Sequence, residues 1–497
     1  MRFWTTINLI LVLSIVGLTY EIAAGRVLAP FFGTSLLTWT AVIATVLAGF
    51  SLGSALGGLV AERPRAKAVR QVRAALIATA VLMALSPTIL GAIYALGARG
   101  LGGMLLTVFV AFFPASVLVT LPTPFLAKCA VEARPGREGS SLGLVLAAGS
   151  LGAIAGAILA GFVALPLIGS AATFAGCGAV ALLCMPFLKG DPPEDRDATE
   201  ESQDDNGSNG SIGPAAAVVA LSLLGGPVCQ YESGLSCIDV VRQGSTVHLY
   251  SDRTPQAAER IGGTDDEGAD LPGLVMPYAE WIWARMDRDL GPSPSILFIG
   301  GGGYTLPTRL LASRPSAQAV AVEIDPLVTA VVRDNLPRAA SMIEQTGFDA
   351  AQDGSTGARE GRLGIVHADG RVYLNETDRR FDAAVMDAFS SASVPAHLAT
   401  SETYKRLRSI VDGPVYVNLI DAPDGSLARG LHAILTELYP HVRAVQGPVS
   451  GRGRANILLA ASDTPLPALE DLPRGYDIVS LPQGRAFTDD RGWVGHR

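Results

Sequence analysis

The stretch ILFIGGGGYTLPTRLLASRPSAQAVAVEID, residues 296–325, decides the fold of the C-terminal half of the chain. Its apolar start is typical of a buried parallel strand, and the four glycines 300–303 allow a tight turn and close approach to a ligand. Pro307 stands where the first turn of a helix tolerates proline. Glu323 ends a second apolar strand about 20 residues after the glycines, the separation at which a carboxylate binds ribose hydroxyls.

The glycine turn departs from the patterns of two common phosphate sites. Thr305 stands where the last glycine of G-x-G-x-x-G would fall, and no Lys-Ser/Thr pair follows the glycines. We therefore predict a site for a nucleoside without a pyrophosphate, such as S-adenosylmethionine or a relative. The alternative is an ordinary βαβ turn that binds no ligand.

The N-terminal part of the chain is strongly apolar. The 497 residues have a mean hydropathy of +0.35 with 17% charged residues, and the apolar residues concentrate before residue 190. Segments long enough, or nearly so, to cross a bilayer lie at about residues 5–24, 38–60, 74–96, 102–124, 142–165 and 170–188. This pattern predicts a multi-pass protein of the inner (plasma) membrane.

Composition divides the chain into three predicted regions. Residues 1–190 form a polytopic α-helical membrane domain of about six helices. Residues 191–213, rich in acidic, Ser, Asn and Gly residues, read as a flexible linker. Residues 214–497 form an α/β Rossmann-like domain, in which a methyltransferase-like parallel sheet follows a small β-region at 231–260.

Basic residues in the connections predict the orientation in the membrane. They lie between the second and third segments and between the fourth and fifth, at Arg63, Arg65, Lys67, Arg70, Arg73, Lys128, Arg134 and Arg137. The positive-inside rule then places the N-terminus in the cytoplasm, and six spans return the C-terminal domain there. Residues 214–224 are a further apolar run that we interpret as interfacial or buried. The alternative, a further span, would place the C-terminal domain outside.

Alternating strands and helices after residue 295 predict a mostly parallel, doubly wound sheet with its ligand at the carboxyl ends of the strands. The predicted strands lie at residues 296–299, 319–324, 363–367, 383–386 and 415–419, with an antiparallel edge pair at 442–445 and 457–461. Residues 339–362 read as a long loop or lid.

Three acids end consecutive predicted strands, so we expect them to share one crevice. They are Glu323, Asp369 and Asp387. Glu323 suits ribose hydroxyls, and Asp369 suits an adenine amino group. Asp387, beside apolar Met386, suits an amine that must lose a proton before it attacks. A single acid at such a position is more often a helix cap.

These motifs resemble the spermidine synthase (polyamine aminopropyltransferase) family over residues 229–465, and the whole chain resembles its membrane-fused branch. Gln256 in SDRTPQ matches a glutamine near the nucleoside sugar. Tyr278 and Glu280 in PYAEW match a Tyr-x-Glu element whose tyrosine assists amine deprotonation.

The remaining family positions fall on the strand ends. Glu323 matches the ribose-binding glutamate, Asp369 the adenine-side aspartate and Asp387 the catalytic aspartate. The turn that would hold the donor contains Gly300, Gly301 and Gly302.

The resemblance implies a polyamine-synthase-like transferase of polyamine biosynthesis. It would move an aminopropyl-type group from decarboxylated S-adenosylmethionine, or S-adenosylmethionine itself, to an amine and release methylthioadenosine. The adenosyl compound is a co-substrate, and no permanently bound cofactor is expected. The alternatives are an S-adenosylmethionine-dependent methyltransferase and a non-catalytic transporter or sensor.

Two positions depart from the family pattern. Gly303 stands where the family has an aspartate that holds the donor amino group, and Ser390 where a second aspartate grips the diamine. Contact with an ammonium is worth about 1–4 kcal/mol per carboxylate, so the donor is left open between the two adenosyl compounds.

Other partner classes find little support. The five cysteines form no metal pattern and are expected to be structural thiols, so no metal site is predicted. The net charge of −8 gives no reason to expect nucleic acid. The expected partners are the amine, the adenosyl donor and the lipid bilayer. A homodimer is compatible with the sequence, which does not fix the oligomeric state.

Overall fold

The computed structural model describes residues 2–33, 36–188, 211–224, 226, 228–261, 273–350, 361–388, 394–451 and 453–491. Packing divides the chain into two compact units, Met1–Cys237 and Ile238–Arg497. The division falls later than residue 214, where the C-terminal domain was predicted to begin, because Val219 of the helix after the linker packs in the core of the first unit. Most of the predicted linker, residues 191–210, and Ser390 lie outside the described residues.

The first unit is helical. Its helices are α1 (Phe3–Phe32), α2 (Leu36–Ala61), α3 (Arg65–Ala95), α4 (Gly100–Thr120), α5 (Pro122–Glu132), α6 (Glu138–Ile158), α7 (Leu165–Leu183) and α8 (Ile212–Leu224). A π-helical segment, Leu159–Ala164, joins α6 to α7; a 3₁₀ turn, Met185–Phe187, follows α7, and a short strand, β1 (Tyr231–Glu232), follows α8.

Five helical runs in the described residues are long and apolar enough to cross a membrane. They are Phe3–Phe32, Leu37–Ala61, Arg65–Ala95, Gly100–Glu132 and Glu138–Phe187. The last run, of 50 residues, contains both the fifth and the sixth segment predicted from the sequence. Its backbone is interrupted at Gly169, whose φ of 74° lies in the left-handed region.

One pair of cysteines differs from the expectation of structural thiols. Cys229 and Cys237 form a disulfide across β1, with their Cα atoms 5.6 Å apart, a separation typical of such bonds. The other three cysteines are buried thiols, at Cys129, Cys177 and Cys184. No sequence pattern indicates this pairing, because the two positions lie eight residues apart in a segment without a recognisable motif.

The second unit begins with a small antiparallel meander, which confirms the predicted β-region. Its strands are β2 (Cys237–Gln243), β3 (Thr246–Ser251) and β4 (Thr254–Arg260), and helix α9 (Pro277–Asp289) follows.

A nine-stranded sheet forms the centre of the second unit. The elements after α9 are β5 (Ser295–Ile299), α10 (Thr305–Ser313), β6 (Gln318–Glu323), α11 (Pro326–Asn335), α12 (Pro337–Thr346), β7 (Gly347–Asp349), β8 (Leu363–His367), α13 (Gly370–Glu376), β9 (Ala383–Met386), α14 (Ser401–Ile410), β10 (Val415–Asp421), α15 (Ser426–Leu438), β11 (His441–Gln446), β12 (Ala455–Ser462) and β13 (Asp477–Ile478). A 3₁₀ turn, Ala396–Leu398, precedes α14.

The strand order is β13-β11-β12-β10-β9-β5-β6-β8-β7. The strands from β10 to β7 are parallel, whereas β12 runs antiparallel to both β10 and β11. This arrangement confirms a Rossmann-like, methyltransferase-like sheet behind the helical N-terminal region. The chain order reverses at β5, which lies between β6 and β9, and ligands of such sheets bind at the carboxyl ends beside that reversal.

Two details of the sheet differ from the sequence prediction. Residues 337–349 form α12 and β7 rather than a loop, because Ala339 and Ile343 place a buried face on the helix. Residues 351–360 of the predicted lid lie outside the described residues. The pair β11–β12 exists, but β12 is an interior strand because it also pairs with β10.

Candidate active site

The turn after β5 requires glycine. Gly300 has a φ of 102°, and a Cβ there would lie 2.3 Å from the carbonyl oxygen of Asp387. Gly302 has a φ of 48°. The amide of Gly300 donates to Val322 O at 2.9 Å, and that of Asp387 to Ile299 O at 2.8 Å. The turn is therefore held between the ends of β6 and β9, at the reversal in strand order.

Glu323, at the end of β6, faces the glycine turn. Its Oε2 accepts from the amides of Gly301 at 3.0 Å and Gly302 at 3.2 Å, and its Oε1 accepts from the amide of Asp325 at 3.0 Å. The side chain is buried, and burial raises the pKa of its carboxyl although the three backbone donors act to lower it. Since two carboxylate oxygens offer about four acceptor positions, room remains for a ligand hydroxyl.

Asp387, just after β9, has a strongly perturbed carboxyl. Its Oδ1 accepts from Asn418 Nδ2 at 2.8 Å, and its carboxyl also forms a hydrogen bond with the Tyr278 hydroxyl. Burial raises the pKa of Asp387 to about 7, and these two hydrogen bonds oppose that rise. A carboxyl that titrates near neutral pH is well placed to act as a general base.

Tyr278, in the first turn of α9, connects Asp387 to β4. Its hydroxyl donates to the backbone carbonyl of Gln256 at 3.0 Å and is also within hydrogen-bonding contact of Asp387. Burial, followed by the charge of Asp387, raises the pKa of Tyr278 well above its ordinary value. The hydroxyl has one proton, so it can donate to only one of these two acceptors at a time.

Asp369 caps a helix and pairs with a histidine. Its Oδ1 accepts from the amides of Arg371 at 2.8 Å and Val372 at 3.2 Å at the start of α13. Its Oδ2 lies 2.9 Å from His397 Nε2. Asp369 is therefore a helix cap through its Oδ1, while its Oδ2 contacts the His397 ring.

The missing acid at Gly303 has a steric cause. A Cβ at this position would lie 2.2 Å from the Cβ of Ala257 on β4, far closer than two carbon atoms can approach. No side chain fits at residue 303 while β4 keeps this position. The other departure, Ser390, lies outside the described residues.

One cleft contains several of the site residues that were predicted from the sequence. It is lined by Tyr278, Phe298, Gly300, Gly301, Gly302, Gly303, Thr305, Leu306, Pro307, Val385 and Asp387. Glu323 contacts this turn from β6, whereas Asp369 lies between β8 and α13. The side chain of Gln256 is partly buried, and its backbone carbonyl contacts Tyr278.

The sequence analysis missed two polar residues near Asp387. Asn418 lies in the buried strand β10 with 2% exposure, and its Oδ1 accepts from Asn456 Nδ2 of β12 at 2.9 Å. For His397 the sequence allows either a place in the acceptor pocket or a loop position satisfied by backbone, and in the structure its ring contacts Asp369. The signal for Asn418 was available, since a polar residue within the apolar run VYVNLI must find a partner when buried.

Comparisons with known proteins agree with the motif analysis. No family model matches the chain. A polyamine aminopropyltransferase of Vibrio vulnificus (strain CMCP6) is 27% identical over 153 residues, 30% of this chain and 44% of that protein. One from Ruegeria sp. (strain TM1040) is 31% identical over 98 residues, 20% of this chain and 30% of that protein.

The chain thus spans less than half the length of the curated relatives it matches. Among solved structures, a probable spermidine synthase from Corynebacterium glutamicum ATCC 13032 aligns with a TM-score of 0.38 and 21% identity, over 48% of this chain and 81% of that one. Part of this chain is therefore similar in sequence to polyamine aminopropyltransferases, as its motifs indicated.

Proposed function

We propose that this protein is a membrane-anchored transferase that moves an aminopropyl-type group from an adenosyl sulfonium donor to an amine and releases methylthioadenosine. The observation that carries the proposal is the Asp387–Tyr278 pair beside the glycine turn. Asp387 has a pKa of about 7, so near neutral pH it can accept the proton of an attacking amine.

Each residue of the proposed site has a defined task. Asp387 and Tyr278 serve the amine, which attacks the donor carbon beside the sulfonium sulfur as the carbon–sulfur bond breaks. Gln256, Glu323 and Asp369, with the turn Gly300–Gly302, hold the nucleoside. Such a reaction depends mainly on orientation and a deprotonated amine, and these residues supply both.

Product analysis tests the proposal. The purified full-length protein is incubated with S-adenosylmethionine or its decarboxylated form and a panel of amines, and products are identified by mass spectrometry. Methylthioadenosine is the expected result with either donor, together with an aminopropylated amine from the decarboxylated donor or an aminocarboxypropylated amine from intact S-adenosylmethionine. Asp387→Asn is the matched control that should lack both products. Methyl transfer would instead leave S-adenosylhomocysteine, and donor binding without any product would indicate a sensor or transporter.

Because no side chain fits at residue 303, intact S-adenosylmethionine should be tested as a donor. The family aspartate at this position would repel the carboxylate of that compound, and here Ala257 keeps the position free of any side chain. Parallel incubations with the two donors therefore decide which one the cleft accepts.

A further inference from the structure

One end of the helical unit gathers the N-terminus and the basic connections. Lys128 Nζ donates to Ala61 O at 2.8 Å, and the Arg134 guanidinium lies 3.6 Å from the centre of the Phe3 ring. Arg73 donates to Leu188 O, just after α7, at 3.0 Å. The start of α1, the α2–α3 connection, the α5–α6 connection and the end of α7 thus meet at this end, which we call the basic end.

The chain leaves the helical unit at the opposite end, which we call the far end. Arg26, near the end of α1, donates from Nε to Ser233 O at 3.2 Å. The Glu232 carboxylate accepts from the amide of Ser170, near the start of α7, at 3.0 Å. These contacts place β1 beside the end of α1 and the start of α7, which lie opposite the basic end.

Helix α8 carries the chain between the two ends. Ile212 and Val219 pack in the same apolar cluster as Phe3 and Leu188, which belong to the basic end. Val228, just after α8, packs against the cluster of Tyr20 and Phe174 instead, toward the far end. The 13 residues of α8 rise about 20 Å, and Val228 and Ser233, which come later in the chain, have their contacts toward the far end.

The surface of α8 suits lipid on one side and protein on the other. Its sequence, IGPAAAVVALSLL, has no charged residue. Ala215 and Val219 are buried, whereas Leu221 and Leu224 are exposed. A helix that lies in the membrane interface normally has a strongly polar face, and α8 has none.

From this path we propose that α8 is a membrane-crossing segment and that the second unit lies on the non-cytoplasmic side. The connections at the basic end and the adjoining helix turns carry eight Lys and Arg residues, whereas the far end carries Arg26 and Arg99. The positive-inside rule puts the basic end in the cytoplasm. The Cys229–Cys237 disulfide at the far end agrees, because disulfides persist in oxidising compartments and are rare in the cytosol.

The proposal replaces the expectation of a cytoplasmic C-terminal domain and does not depend on the transferase activity. If that activity is also correct, the adenosyl donor, a charged sulfonium, must reach the non-cytoplasmic side. A bilayer excludes such an ion, so a transport step for the donor would have to precede the reaction.

Cysteine labelling of the full chain tests the sidedness. Lys67→Cys lies at the basic end and Glu437→Cys in the second unit, and both side chains are exposed. Spheroplasts are treated with a membrane-impermeant maleimide before and after permeabilisation. We expect Glu437→Cys to react before permeabilisation and Lys67→Cys only after it. Protection of Glu437→Cys until permeabilisation would overturn the proposal.

The unmodified chain is the control, because Cys129, Cys177 and Cys184 are buried. A second measurement needs no substitution. Free thiols are blocked during acid quenching, and the protein is then reduced and treated with a polyethylene glycol maleimide. Two added polymers are expected from Cys229 and Cys237, and none would count against an oxidising environment and against the proposal.

Discussion

The protonation of Asp387 depends on its burial and on two neighbouring side chains. Burial raises its pKa to about 7, while the hydrogen bonds from Asn418 and Tyr278 lower it. Only the ionised carboxylate can accept a proton from an amine. The pH dependence of the reaction therefore reports the environment of one side chain.

Substitution of Asp387 by Asn should abolish the general base without changing the size of the side chain. We expect kcat/KM of the unmodified protein to rise with pH up to about 7 and then level off, and Asp387→Asn to lose about 10²- to 10⁴-fold. Steady-state rates from pH 5 to 9 measure both effects. Asp424→Asn, on an exposed loop, is the control, and an equally active Asp387→Asn protein would exclude this role.

Substitution of Asn418 by Leu should move the same pH profile. The amide of Asn418 favours the charged form of Asp387, so its loss raises the pKa of the carboxyl and shifts the rising limb to higher pH. Tyr278→Phe should shift it in the same direction. A lower rate with an unmoved profile would mean that Asn418 only supports the fold.

At the residue scale, the sequence assigned roles only to side chains that belong to a motif. Asp387 and Tyr278 do meet, although they are 109 positions apart, because their motifs resembled a known pairing. The position of Asn418 within an apolar strand was visible in the sequence, but its partners Asp387 and Asn456 were not, because both are distant from it in the chain. Asp369 has the local role that its position before a helix also predicts.

At the scale of elements, the glycine turn and β4 are in direct steric contact. The Cβ that any other residue would add at position 303 meets the Cβ of Ala257 at 2.2 Å. The family acid therefore cannot be restored here by a single substitution.

A pair of substitutions tests this contact. Gly303→Ala should destabilise the second unit by about 1–3 kcal/mol through overpacking. Ala257→Gly, which by itself costs about 0.5–1 kcal/mol in a strand, should recover part of that loss when combined with it. Thermal unfolding of the four full-length proteins gives the coupling energy. Strict additivity of the two effects would show that the two Cβ positions do not meet.

The last turn of helix α9 contains a buried ion pair that also contacts the sheet. Arg285 and Asp289, both on α9, are 2.7 Å apart with side-chain exposures of 2% and 6%, and the Tyr416 hydroxyl of β10 donates to Asp289 at 3.0 Å. Since α9 also carries Tyr278, the Tyr416–Asp289 hydrogen bond helps to position that helix relative to the strands.

Removing one member of the pair leaves the other charge buried. We expect Asp289→Ala to lower the free energy of unfolding by about 3–5 kcal/mol. The matched control is Asp287→Ala on the same helix, whose 3.0 Å contact with Arg314 is 59% exposed on the Asp side and should be worth under about 1 kcal/mol. Denaturant unfolding measures both, and equal losses would contradict the assignment.

Whether a segment forms a helix or a strand was easier to predict than which strands pair with each other. The strands β5, β6 and β9 carry buried apolar runs on both faces, which the sequence shows directly. The helix α12 was missed because its polar composition masks a buried face of two residues, Ala339 and Ile343. Strand neighbours such as β12 beside β10 depend on contacts distant in sequence.

For the whole molecule, hydropathy predicted the two-part organisation, because long apolar helices and a charged α/β region differ in composition. It did not predict the path between them. We infer that residues 212–224 cross the membrane because Val219 and Val228 pack in different apolar clusters. A 13-residue apolar run is too short for hydropathy to decide, and only the tertiary contacts separate the two alternatives.

The single proton of Tyr278 makes its orientation an indicator of the charge on Asp387. While the carboxylate is ionised, it is the stronger acceptor and should hold the hydroxyl. Once Asp387 has taken a proton from the amine, the hydroxyl is released toward the carbonyl of Gln256, on the strand that packs against the glycine turn. Completion of proton transfer would thus strengthen the hydrogen bond from Tyr278 to β4. The hydroxyl that stabilises the ionised carboxylate of Asp387 would also respond to its protonation.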